Sequence, residues 1–196
     1  MRICSLASVK AAITPSPPTD HDAVLTQILE DVSARMAHAL NRELRRATYT
    51  EYFRTPCNFL SLRARPVVSV TSITYYDTAL GSDLYSVNLE YGFVYFIDWV
   101  TNVETDRQLK VIYIGGYEYA TGVGVESELL TATGDLHLVQ IQGAVRKQTV
   151  FEYSRRKELG LTSVSMPSGS VGKVQPSMWL AEVLDVIAIE KRRALG

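Results

Sequence analysis

Thr19-Asp20-His21-Asp22-Ala23-Val24-Leu25 decides how the N-terminal part of the chain is read. Thr and Asp side chains accept hydrogen bonds from the free N–H groups of a helix's first turn. Carboxylates there also oppose the positive end of the helix dipole. Val24, Leu25, Ile28, Leu29, Val32, Met36, Leu40 and Leu44 then recur at helical spacing, with Glu30, Asp31, Arg35, Arg42 and Arg46 filling much of the other face. The pattern predicts one long amphipathic helix over 20–46. Upstream, Ser5 to Ile13 predicts a short helix stopped by Thr14-Pro15, because a residue before proline avoids the helical region.

The period changes after Arg46. Leu60, Leu62 and Ala64 alternate with Ser61, Arg63 and Arg65, which is strand spacing. Pro66 interrupts, and Val68, Val70, Ile73 and Tyr75 continue the β pattern. Turn chemistry at 77–83 and at Glu90-Tyr91-Gly92 separates further strands at Tyr85–Leu89 and Phe93–Val100. Leu109 to Ile114 ends at Gly115-Gly116. The reading is a meander of short antiparallel strands over about 58–116. Ten of the eleven tyrosines lie between Tyr49 and Tyr119, which suits a half-buried sheet whose rings pack while their hydroxyls reach water.

A second long helix is expected over 135–159, opened by Gly134-Asp135 and closed by Gly160. Residues 162–177 are rich in Ser, Gly, Val and Pro and read as a linker or extended arm. Behind them Trp179, Leu180, Val183, Leu184 and Ile187 line one face of a short helix that ends in Glu190-Lys191-Arg192-Arg193. That face either folds back on its own core or docks on another chain by laying an apolar stripe in a groove. The fold class expected is α+β: mainly a bundle of long helices, with a small inserted antiparallel β region and a C-terminal arm ending in a helix. Residues 1–160 form the core in this reading, and 161–196 form the linker and docking helix.

The 196 residues suit one domain with extensions; 46% hydrophobic and 21% charged residues are a globular balance. The two cysteines, Cys4 and Cys57, are too few for a disulfide scaffold, so a reducing compartment fits. No apolar run suggests a membrane span, and Lys10 interrupts the only stretch resembling a signal peptide. The net charge of −1 hides a strong partition. Residues 76–135 carry two Lys/Arg against ten Asp/Glu, while 1–75 and 136–196 are each net basic. This is either a solvated surface or a pair of complementary regions that meet between copies.

The sequence offers little catalytic chemistry. His21, His38 and His137 lie far apart with no metal-ligand spacing, and surface or capping roles suit them better. Cys57 has no base beside it, and Gly115-Gly116 and Gly122-Val123-Gly124 sit among acids that would repel phosphate. Arg42, Arg45 and Arg46 could contact nucleic acid, but a solvated helix end favoured by the dipole is the simpler reading. No cofactor is expected.

The order of these elements is suggestive in itself. The aspartate-rich start and long helix are followed by Tyr49-Thr50-Glu51-Tyr52, Phe59-Leu60-Ser61-Leu62 and Arg65-Pro66-Val67-Val68-Ser69-Val70-Thr71-Ser72-Ile73. Later come Val111-Ile112-Tyr113-Ile114-Gly115-Gly116-Tyr117 and Phe151-Glu152-Tyr153-Ser154-Arg155-Arg156-Lys157-Glu158. This order resembles the head-tail connector (adaptor) proteins of tailed bacteriophages and of the related gene transfer agents. The resemblance covers nearly the whole chain and does not choose between the two sources. One departure is Thr131-Ala132-Thr133-Gly134, where such proteins often have a proline.

The resemblance implies a structural protein of the virion neck, made in the bacterial host cytoplasm, and no enzyme. It implies a ring of about twelve copies under the portal, which extends the DNA channel toward a tail-side stopper or terminator and lets double-stranded DNA pass without sequence specificity. Trp179, Leu180, Val183, Leu184 and Ile187 are the expected portal anchors. Deleting 176–196 is expected to abolish portal binding and leave the core folded. Glu90, Asp98 and Glu104 are the expected acidic surface of the channel or of the contact between subunits. A small soluble enzyme or ligand-binding domain with a Tyr-rich pocket, and a DNA-binding module using the basic ends, are the rival readings.

Overall fold

The computed structural model describes residues 2–53, 59–97, 109–118, 135–156, 163–165, 171–173 and 179–195. In chain order its elements are α1 (Leu6–Ala11), α2 (Asp22–Leu40) entered through a 3-10 turn at Thr19–His21, β1 (Ala47–Phe53), β2 (Phe59–Ser61), β3 (Val67–Tyr75), β4 (Thr78–Ala79), β5 (Tyr85–Asn88), β6 (Phe93–Phe96), β7 (Leu109–Gly115), α3 (Leu136–Ser154), β8 (Ser163–Ser165), β9 (Val171–Lys173) and α4 (Ala181–Leu195). The described residues of 1–36 and 135–189 form one compact unit, and those of 37–118 and 190–195 form a second. Among the described residues no helix is long and apolar enough to cross a membrane.

The first unit is helical, with one short hairpin, β8 against β9. Ser5 Oγ accepts from Ser8 N at 3.1 Å and caps α1. Lys10 Nζ lies 2.6 Å from Asp22 Oδ1, so α1 is tied to the first turn of α2, and α1 also packs on α3. Leu25, Leu29, Val32 and Met36 are fully buried along one stripe of α2, as the apolar spacing requires. Val24, at the edge of that stripe, is 45% exposed. Asp135 Oδ1 accepts from His137 N and Leu138 N and caps α3, whose inward face carries Leu138, Ile141, Ala144 and Val145.

The second unit overturns the expectation of a mainly helical bundle with a small β insertion. It contains a four-stranded sheet in the order β1-β7-β3-β4 and a three-stranded sheet in the order β2-β6-β5, both antiparallel. The protein is a balanced α+β fold. Part of the discrepancy lies in β1, Ala-Thr-Tyr-Thr-Glu-Tyr-Phe, which pairs along its whole length with β7. β-branched and aromatic residues at alternating burial make it a strand, and its partner lies some sixty residues downstream. The order is no simple meander either, because β7 inserts between β1 and β3.

Leu60, Leu62, Ala64, Val67, Ile73, Val94, Leu109, Val111 and Tyr113 form the core that the two sheets share. Val67 faces inward at 4% exposure while Val68 is 43% exposed, the opposite of the expected phase. Two register shifts between β3 and β7, at Val67/Ser69 and Val70/Ser72, account for this, since an inserted residue moves the following side chains to the other face.

The helix expected to reach residue 46 stops at Leu40. Asn41 adopts φ +51, the left-handed conformation that asparagine tolerates at a helix C-terminus. Beyond it the chain runs extended. Glu43 N donates to Arg63 O, Tyr117 N donates to Leu44 O and Arg46 N donates to Tyr117 O. Leu44 is buried all the same, at 1% exposure, so its helical spacing from Leu40 is coincidental.

Candidate functional site

The expected anchors sit at the start of α4, in the first unit. Leu180 O accepts from Val183 N and Leu184 N, each at 3.0 Å, and so begins the helix. Leu180 N donates to Oε1 of the fully buried Gln148 at 3.0 Å. Gln148 Nε2 donates to Glu152 Oε1 at 2.8 Å, and Arg35 Nη2 donates to the same oxygen at 2.5 Å. The Arg35 guanidinium in turn lies 5.2 Å from the centre of the Trp179 ring. A continuous polar chain therefore links α2, α3 and the residues that open α4.

This arrangement divides the five anchors. Val183 is fully buried and Ile187 is 7% exposed, both within the chain. Trp179 and Leu180 are half-buried, and Leu184 is 46% exposed. Lys147 and Glu182 form an ion pair beside them. A cavity of about 500 Å³ is lined by Ala12, Arg146, Val150, Phe151, Leu180 and Ala181, and so opens next to Leu180.

Of the expected acidic surface, Glu90 is exposed in a turn where Gly92 N donates to Asn88 O at 2.9 Å and Tyr91 N donates to Asn88 Oδ1. Asp98 and Glu104 lie outside the described residues, as does Cys57. His21 Nδ1 is 2.5 Å from the Tyr153 hydroxyl, and Arg156 lies over that ring at 4.0 Å. Gly115-Gly116 serves close backbone approach. A Cβ on Gly115 would meet Ala64 O at 2.3 Å, and Gly116, at φ +92, faces Arg45 O. Among the described residues no group of three His, Cys, Asp or Glu could hold a metal ion.

The second unit contains a charge cluster that the sequence did not announce. Arg42, expected on a solvated helix end, is 9% exposed. Its Nη1 donates to Glu190 Oε2 at 3.0 Å, and its Nη2 donates to Arg65 O at 2.9 Å and to the Tyr117 hydroxyl at 3.3 Å. Arg65 is 6% exposed, and its stem runs beneath Gly92, whose φ is +66. Burial, then the positive charge of Arg42, lowers the proton affinity of Arg65. The Nε atoms of both arginines are buried without a hydrogen-bond partner. The one available signal was the Arg63-Ala64-Arg65 alternation, which puts two cations on one strand-like face.

No family model matches the sequence, and no curated protein matches it. The fold does have counterparts among solved structures. A chain from the virion of a native gene transfer agent particle aligns with a TM-score of 0.53 and 13% identity, over 94% of this chain and 87% of that one. A chain from the neck of a native gene transfer agent particle, computed with C12 symmetry, aligns at 0.50 and 13% identity, over 97% and 93%. A chain from the neck of an empty particle, computed with C6 symmetry, aligns at 0.50 and 14% identity, over 87% and 78%. At these identities the likeness establishes a shared fold, and the chain is structurally similar to virion and neck proteins of gene transfer agents.

Proposed function

We propose that this protein is a non-enzymatic head-tail connector of a phage-like particle. About twelve copies form a ring beneath the portal, and the ring extends the DNA channel toward the tail-side partner. The observation that carries the reading is the shared fold over nearly the full length of chains from gene transfer agent virions and necks. The C12 symmetry used for one of those necks is compatible with twelve copies.

In this reading the segment 161–196 reaches the portal from a core formed by 1–160. Val183 and Ile187 hold α4 on its own chain, while Leu184, with the half-buried Trp179 and Leu180, supplies the docking face. Glu90, Asp98 and Glu104 belong to an acidic surface that faces the channel or a neighbouring subunit. Facing the channel, it would repel DNA phosphate over a Debye length of about 8 Å.

The test is electron microscopy of the protein mixed with its portal, which is expected to show a ring on the portal. Portal without added density overturns the reading. Deleting 176–196 is the wrong variant for the docking face, because it also removes the buried Val183, Ile187 and Glu190. Leu184→Lys leaves those in place and is expected to weaken portal binding about tenfold at an unchanged Tm. Unchanged binding would move the docking face elsewhere.

A further inference from the structure

Arg63, Arg65 and Lys191 line one cavity of about 390 Å³ in the second unit, together with Leu40, Asn41, Ser61 and Leu62. No acidic side chain among the described residues lines it. Among the described residues no ion pair engages any of these three cations. The carboxylate of Glu190 is held by Arg42, and both Glu190 and Glu51 act on Arg65 through space. Buried charges are ordinarily paired, since an unpaired one forfeits its hydration without return. Arg65 is 6% exposed and its Nε lacks a partner, so the cleft is electrostatically incomplete among the described residues.

The geometry points to a carboxylate of a second copy of this chain as the missing partner. The cleft would receive an acidic side chain from the 76–135 stretch, for which Asp77, Asp83 and Glu90 are the exposed described candidates. Three features choose a carboxylate side chain over a duplex phosphate. Arg65, at the floor of the site behind the exposed Arg63 and Lys191, is recessed, whereas duplex phosphates are met by exposed cations alone. The apolar walls Leu40 and Leu62 match an aliphatic stem. The complementary charge is carried by the same sequence, ten acids against two bases in that stretch. A contact of this kind uses two different patches of the same chain, so it is head-to-tail and can close into a ring. The inference thus rests on the ring reading and specifies the contact that propagates it.

Carbodiimide cross-linking tests this, because it joins a lysine amine to a carboxylate only when the two are in ion-pair contact. Full-length chains, half of them isotopically heavy, are assembled with portal, cross-linked and mapped by mass spectrometry. The expected product joins Lys191 of one isotopic form to an acid of 76–135 in the other. Arg63→Ala, which leaves Lys191 in place and alters an exposed side chain, is expected to lower that product about tenfold. So is the combined Asp77→Asn, Asp83→Asn and Glu90→Gln variant. A ring lacking the inter-copy product overturns this inference alone, and the absence of any ring overturns the ring reading with it. Duplex DNA retained by the wild type and lost in the Arg63→Ala variant would assign the cleft to phosphate and overturn it too.

Discussion

Arg42 donates to Glu190 at 3.0 Å with both side chains almost wholly out of solvent, 7% and 3% exposed. Two residues separated by 148 positions thus form a desolvated ion pair within the second unit. Removing one member leaves the other charged and unpaired, whereas replacing both by apolar groups removes the penalty together with the attraction. Glu190→Gln is expected to cost about 3 kcal/mol, and the Arg42→Met, Glu190→Leu double variant to recover most of it. Urea unfolding midpoints check this; equal losses in both variants would contradict it.

The two glycines with positive φ should differ in their tolerance of a side chain. At Gly116 a Cβ would meet the backbone of Arg45, which the bridge to Tyr117 holds in place. At Gly92 it would meet the Arg65 stem at 2.5 Å, which has rotamers available. Both alanine variants bear about 1–2 kcal/mol of left-handed strain. Gly116→Ala is expected to cost more than Gly92→Ala, as thermal unfolding of the two would show.

Alkaline pH should destabilise the protein through Tyr113. Its ring is fully buried, its hydroxyl accepts from Ala64 N at 2.9 Å and it donates to Glu51 Oε1. Burial, then the bond to Glu51, raises its proton affinity well above the ordinary phenol range. The folded state therefore retains a proton that the unfolded chain releases. The associated stability is complete below the ordinary value of 10.0 and is lost as pH rises above it. Tyr113→Phe is expected to be less stable at neutral pH and to show a flatter decline above pH 10, measured as Tm against pH.

Arg35 should govern the environment of Trp179. Its guanidinium sits over the indole and is fixed from behind by Glu152. A partly exposed cation–π contact contributes about 0.5–1 kcal/mol. Arg35→Ala is expected to shift Trp179 fluorescence to longer wavelength and to increase its quenching by iodide. The measurement is made in a Trp99→Phe background, which isolates this signal. No change in either property would show that the ring is held by its apolar contacts alone.

Much of the local structure was legible. The apolar stripe of α2, the Asp135 cap of α3, the turn at 88–92 and the amphipathic α4 each follow from residues within a few positions of one another. Periodicity and capping depend only on near neighbours, so sequence carries them. The end of α2 was misread because Leu44 keeps helical spacing from Leu40 although Asn41 ends the helix. The amphipathic face of α4 was visible, but the division between the buried Val183 and Ile187 and the exposed Leu184 was not.

The sequence by itself determined where the helices begin, the antiparallel character of the β region and the acidic middle between basic ends. Only the tertiary structure decided that β1 joins β7, that two sheets share one core, and that Arg42 and Glu190 become partners. Strand pairing and burial are settled by which distant surfaces exclude water together. That is a property of the assembled fold, and near neighbours in the chain do not encode it.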